Sequence, residues 1–132
     1  MVIEAIIENK EAKLNLFKQV EKINSKETII ASNTSSISIN QLAAEIQHPQ
    51  RFAGMHFFNP ATIMKLVEVI KTNATNNIVI EQLCLLSKAL GKTAVVCNDA
   101  PGFIVNRVAR HYYLNKNNIL SIILTYFFLL NN

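Results

Sequence analysis

Glycine is scarce in this chain, with three in 132 residues, at positions 54, 91 and 102. A Gly-x-Gly-x-x-Gly turn, which seats a pyrophosphate on a helix N-terminus, needs three within six positions, so that device is excluded from these 132 residues. Cysteine is scarcer still, with only Cys84 and Cys97 and no Cys-x-x-Cys, which excludes a disulfide scaffold. The histidines, His48, His56 and His111, stand at no ligand-like spacing from the cysteines, and no metal site is expected. Charge of one sign is not concentrated. Thirteen Lys and Arg against nine Asp and Glu leave +4, spread along the chain. A nucleic-acid binder wants a basic stripe or aromatic platforms, and neither is there, so no nucleic-acid partner is expected. The N-terminus lacks the charged and apolar regions of a signal peptide. The longest largely apolar stretch, residues 119–130, falls short of the ~20 residues of a membrane span. No membrane association is expected, and a reducing cytoplasm is the expected setting.

What remains is a half-hydrophobic chain of one domain's length, able to bury a core. Residues 2–7 form a short apolar run with β-branched members and predict a buried strand. Asn9 caps a following helix with Leu14, Phe17, Val20 and Ile23 as its apolar stripe and Lys10, Lys13, Lys18 and Lys22 among its polar positions. Residues 28–33 predict a second strand with 34–36 as its exit turn. Ser38 and Gln41 form a capping box, and Ile37 with Leu42 a hydrophobic staple, for a helix to about Ile46 that Pro49 ends. Strands follow at 52–58 and 66–70. Asn76 or Asn77 opens a helix with Val79, Leu83, Leu86 and Leu90 on one face, ended by Gly91. A fifth strand covers 93–97, and a last helix runs from Phe103 to about Leu114. Strands alternating with helices argue for an α/β layer with a largely parallel sheet.

The chemistry concentrates in Gly54-Met55-His56-Phe57-Phe58-Asn59-Pro60 and in Glu68, which lies twelve positions after His56 inside an apolar run. A glutamate buried there needs a partner. His56 is the natural one, and a carboxylate that fixes an imidazole makes a general base. On polarity alone Ser35 reads equally as a turn residue, Asn106 as a helix polar contact, Lys13 as a solvated helix lysine and Asn59 as a turn former before Pro60.

Four segments taken in order resemble the NAD-dependent L-3-hydroxyacyl-CoA dehydrogenase family. They are Val-Ile-Glu-Ala-Ile-Ile-Glu-Asn at 2–9, Ala-Ser-Asn-Thr-Ser-Ser at 31–36, the histidine motif with Glu68 at 51–70, and Asp-Ala-Pro-Gly-Phe-Ile-Val-Asn-Arg at 99–107. The resemblance runs from Met1 to about Leu114. It implies the second half of a Rossmann-like doubly wound sheet with the first βαβ half absent. The implied division is a partial NAD-binding domain over 1–100, the start of a helical C-terminal domain over 101–114, and a divergent tail over 115–132. The family is homodimeric, and the resemblance implies that the helical domain used for dimerisation is missing.

The resemblance further implies oxidation of an L-3-hydroxyacyl-CoA to the 3-oxoacyl-CoA with NAD as cofactor and an acyl-CoA as substrate. His56 becomes the base and Glu68 its orienting partner, while Ser35 and Asn106 match positions that hold the substrate oxygens. Cofactor contacts carry over onto Glu8, Lys13, Ser35 and Asn59. A chain without the glycine turn leaves a second expectation, a non-catalytic remnant or interaction module that binds no NAD. The tail at 115–132 is expected to differ from the family's second domain and to favour association through its apolar residues.

Overall fold

In a computed structural model, which describes residues 1–114, the β-branched runs form five short strands of one sheet. They are β1 (Val2–Glu4), β2 (Ile30–Ser32), β3 (Phe52–Phe57), β4 (Leu66–Lys71) and β5 (Thr93–Asn98), hydrogen-bonded in that order. The helices are α1 (Lys10–Ile23), α2 (Ile39–Ala43), α3 (Asn77–Ala89) and α4 (Val105–Leu114), with a 3-10 turn at Pro49–Arg51. Three of the four strand pairings are parallel, each with an intervening helix to carry the chain back. β3 and β4 are antiparallel. Residues 58–65 are too few for a crossover, which takes a dozen or more, so the chain turns back beside itself.

Alternation along the strands divides the core between two faces. Ile30, Phe52 and Ile70 meet Leu14, Phe17 and Val20 of α1 and Ile39 and Leu42 of α2. Ala31, Ala53, Met55, Val67 and Val69 meet Val79, Ile80 and Leu83 of α3. The sheet is thus covered on both sides, as a doubly wound α/β layer requires. Phe17 and Phe52 meet edge-on with centroids 5.1 Å apart. By the same two-residue period, His56 and Glu68 point to the face that carries Gly54 and Ile70.

The helix ends follow the expected chemistry. Asn9 caps α1, its side chain accepting from the Ala12 amide at 2.9 Å. Ser38 caps α2 through the Gln41 amide, 3.2 Å away. Gly91 ends α3 in the left-handed region at φ +69.

Four local expectations are corrected. β1 stops at Glu4, not at residue 7, because the Glu4 carboxylate accepts the Ile6 amide at 2.6 Å and turns the chain, leaving Ile7 71% exposed. Lys13 is fully buried, not among the polar positions of α1. Leu90 is exposed because it is the C-cap of α3, outside its apolar face. The last helix begins at Val105, since Phe103 at φ +47 cannot belong to it. The expectations for the tail at 115–132 lie outside the described residues.

Gly54 is required by packing, not by backbone conformation. A Cβ there would stand 2.8 Å from Ile70 Cδ1, 2.9 Å from Ile70 Cβ and 3.0 Å from Ile39 Cδ1. Ile70 Cβ belongs to the strand and cannot swing away. Gly54→Ala is expected to lower stability by about 1–3 kcal/mol, the usual range for an overpacked core. Urea unfolding of the two proteins, read as a shift in midpoint at constant slope, checks this.

Candidate active site

The antiparallel pairing of β3 and β4 sets His56 directly opposite Glu68. Side chains opposite each other on one face stand close enough to touch. His56 Nδ1 lies 2.9 Å from Glu68 Oε2, with Glu68 fully buried and His56 nearly so. The other oxygen, Oε1, accepts the backbone amides of Ile104 and Val105, each at 2.9 Å. With Glu68 ionised Oε2 also accepts, so Nδ1 is the donor and Nε2 of a neutral ring keeps its lone pair.

Two amides meet Glu68 because the chain makes a left-handed turn just before α4, at Gly102 (φ +72) and Phe103 (φ +47). For phenylalanine that conformation costs roughly 1–2 kcal/mol. Phe103 is held there by burial at 2% exposure and by its ring, whose centroid is 5.7 Å from that of His56. Phe58 flanks the imidazole as well, at 4.6 Å. The imidazole thus sits between two aromatic rings and is tied at one nitrogen.

Ser35 is exposed on the turn after β2, and Asn106 is exposed on the first turn of α4. Neither side chain is hydrogen-bonded to His56. Asn59 is exposed immediately past β3. These three positions leave polar groups at or near the carboxyl ends of the strands, where open α/β sheets take their ligands. Beside them Ser36, Ser38, Asn40, Asp99 and Phe103 line an open groove of about 370 Å³.

Glu8 is gathered into the exit turn of β2. One of its oxygens accepts the Thr34 and Ser36 hydroxyls and the Ser35 and Ser36 amides. Partial burial pushes its pKa up, but these hydrogen bonds outweigh that and hold it at about 2, against an ordinary 4.5. Lys13 lies behind it, 3.5 Å from Glu8 Oε2.

Sequence reasoning missed what Lys13 is for. Its ammonium is 2.7 Å from Glu4 Oε1 and 3.3 Å from the Ile6 carbonyl. The second Glu4 oxygen accepts the Ser32 hydroxyl at 2.6 Å. Glu4, Lys13 and Ser32 form a buried polar cluster under the exit of β1. The available signal was Glu4, a carboxylate inside an apolar strand, which raises the same question as Glu68. Asp99 was missed as well. It accepts the Ser38 hydroxyl at 2.6 Å and the Asn40 amide at 2.8 Å, fastening α2 to the segment that leads into α4. Cys97 is a buried thiol whose pKa is pushed up to about 11, first by burial and then by Glu68 nearby, which removes it as a nucleophile.

Comparison with known proteins gives the family and the fold. Residues 1–100 match the family described as 3-hydroxyacyl-CoA dehydrogenase, NAD binding domain. Over 113 residues the chain is 55% identical to a 3-hydroxyadipyl-CoA dehydrogenase of Escherichia coli K12, covering 86% of this chain and 24% of that protein. Over 114 residues it is 52% identical to the mitochondrial hydroxyacyl-coenzyme A dehydrogenase of Homo sapiens, covering 86% and 36%. A solved 3-hydroxybutyryl-CoA dehydrogenase from Escherichia coli K12 superposes with a TM-score of 0.83 at 54% identity, over 86% of this chain and 24% of that one. The chain spans between a quarter and somewhat over a third of these relatives. The expectation that a first βαβ half is absent finds no support, since the domain match begins at residue 1. Among the described residues no helix is long and apolar enough to cross a membrane.

The Glu8 cluster makes a pH-dependent contribution whose sign follows from its lowered pKa. A group held below its ordinary value stabilises the fold fully above about 4.5 and loses that contribution as pH falls toward about 2. Thr34→Val removes one donor, so the Glu8 carboxyl is expected to titrate measurably closer to its ordinary value. Carboxyl 13C NMR across pH 1.5–6 reads this directly, and an unmoved midpoint would assign the shift to the Ser36 hydroxyl and the two amides.

Proposed function

The chain belongs to the 3-hydroxyacyl-CoA dehydrogenase family, and from that premise we propose that it carries the acid–base half of a reaction interconverting an L-3-hydroxyacyl-CoA and its 3-oxoacyl-CoA. The observation that carries this reading is the His56–Glu68 pair, a base tied at Nδ1 and free at Nε2 among the described residues, on a carboxyl-end surface of polar groups.

Oxidation of a secondary alcohol removes the hydroxyl proton and transfers the hydrogen on the same carbon, with its electron pair, to an acceptor. NAD, when bound, supplies that acceptor. His56 Nε2 takes the hydroxyl proton, and the O–H bond pair stays to make the new C=O. The imidazolium that forms is stabilised by the Glu68 carboxylate, which holds Nδ1–H throughout. Phe58 and Phe103 exclude water from the imidazole faces and fix its plane. Ser35 and Asn106 hydrogen-bond the substrate oxygen as it changes from hydroxyl to carbonyl.

The residues present fit the nicotinamide end of NAD. Glu8, Ser35 and Asn59 supply carboxylate, hydroxyl and amide groups for a ribose and a carboxamide, at strand ends where such a group lies. Lys13, being buried, acts from behind by pairing with Glu8. Nothing in the three glycines of the chain supplies the pyrophosphate turn. A second reading is an interaction module without NAD binding. A reducing compartment, in our reading the cytoplasm, suits the two free thiols, Cys84 and Cys97. The acyl-CoA is the expected small-molecule partner.

Grafting tests the reading. With this chain replacing the matched segment of one of its full-length relatives, NADH formation from 3-hydroxybutyryl-CoA is expected. In that graft His56→Ala should lower kcat by ~10²–10⁴-fold while changing KM little, as removal of a general base does. A folded but inactive graft favours the interaction module, and an active graft indifferent to His56→Ala assigns the base elsewhere.

A further inference from the structure

The loop between β3 and β4, residues 58–65, carries both Phe58 and Asn59, yet little in its own composition holds it in place. Asn59, Pro60, Ala61, Thr62 and Ile63 are all exposed, Ile63 at 74%. Its internal bonds are a single turn in which the Pro60 carbonyl accepts the Ile63 and Met64 amides, at 2.9 and 3.0 Å. Of the remaining carbonyls, that of Lys65 accepts the Thr93 amide, and two more are met by one side chain from elsewhere. Lys92 Nζ donates to the Ala61 carbonyl at 2.6 Å and to the Met64 carbonyl at 2.9 Å. It also stands 6.0 Å from the centroid of the Phe57 ring.

Lys92 does not reach the loop by chance. It is the third residue beyond α3, in a terminus where the Gly91 amide bonds the Lys88 carbonyl at 3.0 Å and the Lys92 amide bonds the Ser87 carbonyl at 2.9 Å. This crossed pair is the Schellman closure, which needs the left-handed glycine at 91. The next residue, Thr93, donates to the Lys65 carbonyl at 2.8 Å and starts β5 beside β4. The backbone of Lys92 is therefore pinned on both sides, and its ammonium is aimed at the loop from a rigid base. Charge-assisted bonds to two carbonyls are stronger than neutral ones.

We propose that Lys92 is a positioning residue of the His56 site: by gathering the Ala61 and Met64 carbonyls it sets the 58–65 loop, and so places Phe58 against the imidazole and Asn59 at the strand ends. The proposal rests on the reading of His56 as the base, but it is tested without turnover, so the two fail separately. A lysine that merely closed a surface turn would affect stability and leave the imidazole undisturbed. A positioning lysine changes the aromatic environment of His56.

Ring-proton NMR of the histidines in the 132-residue chain distinguishes these. His56 is assigned by His56→Gln, and Phe58→Leu calibrates the resonance displacement that follows loss of the ring 4.6 Å away. Lys92→Met is expected to displace the His56 resonances in the same direction as Phe58→Leu. Lys92→Arg, which keeps a cation with several donors, is expected to restore them. His48, before β3 at its opposite end, serves as the unmoved control. Where Lys92→Met does not give a folded spectrum, Lys92→Gln, with one neutral donor group, is expected to give an intermediate displacement. His56 resonances identical to wild type in Lys92→Met or Lys92→Gln, even with a lowered melting temperature, would overturn the proposal and leave Lys92 a stabiliser of the turn.

Discussion

One buried carboxylate ties the chemistry to the fold. Glu68 is wholly removed from water, a position that is unfavourable for a carboxyl group unless its lone pairs are met. Here they are met by an imidazole from the neighbouring strand and by two amides at the start of α4. Each partner depends on a different part of the architecture. The imidazole requires the antiparallel register of β3 on β4, and a one-residue slip would send His56 to the α3 face of the sheet. The amides require the left-handed turn at Gly102 and Phe103. Removing the carboxylate would therefore release the imidazole and unseat the helix that carries Asn106 at once.

A second buried carboxylate organises the other flank. Glu4 gathers Lys13, the Ser32 hydroxyl and the Ile6 amide, and in doing so stops β1 and turns it toward Glu8. A buried ion pair is weak evidence for stability, since desolvation of two charges offsets much of their attraction. Its evident effect here is geometric. Lys13 bridges the strand that ends at Glu4 and the exposed Glu8 beyond it, so a polar loop past the end of β1 is held from within the core.

The parts of this arrangement that could be read from the chain are those written locally. Asn9 and Ser38 precede helical periodicity, Gly91 follows it, and a short, mostly apolar strand contains His56. The pairing of His56 with Glu68 was legible because an apolar run surrounding a carboxylate asks for a partner and only one stood nearby. What escaped depended on partners distant in sequence or on backbone conformations without a glycine. Lys13 sits on a helix face that looks solvated until Glu4 is placed beneath it. Asp99 bonds Ser38 across 61 positions. Phe103 adopts a left-handed conformation that its side chain disfavours, so no local rule marks the helix as starting only at Val105. The antiparallel turn of β3 into β4 follows from the shortness of 58–65, which is visible in the spacing of the strands but was masked by the expectation of a largely parallel sheet.

The His56 site combines apolar surroundings with a tethered polar atom, and both act on the orientation of the ring. Packing against Phe58 and Phe103 limits how the imidazole can turn. The hydrogen bond between Nδ1 and Glu68, at 2.9 Å, is stronger in a water-poor setting than it would be in solvent. An imidazole held this way depends on the loops that bring the aromatics in as much as on the strand that bears the histidine. The segment 99–103 brings Phe103, and it is fastened by Asp99 to α2. The segment 58–65 brings Phe58, and it is tethered from outside its own turn by the Thr93 amide on the Lys65 carbonyl and by the ammonium of Lys92.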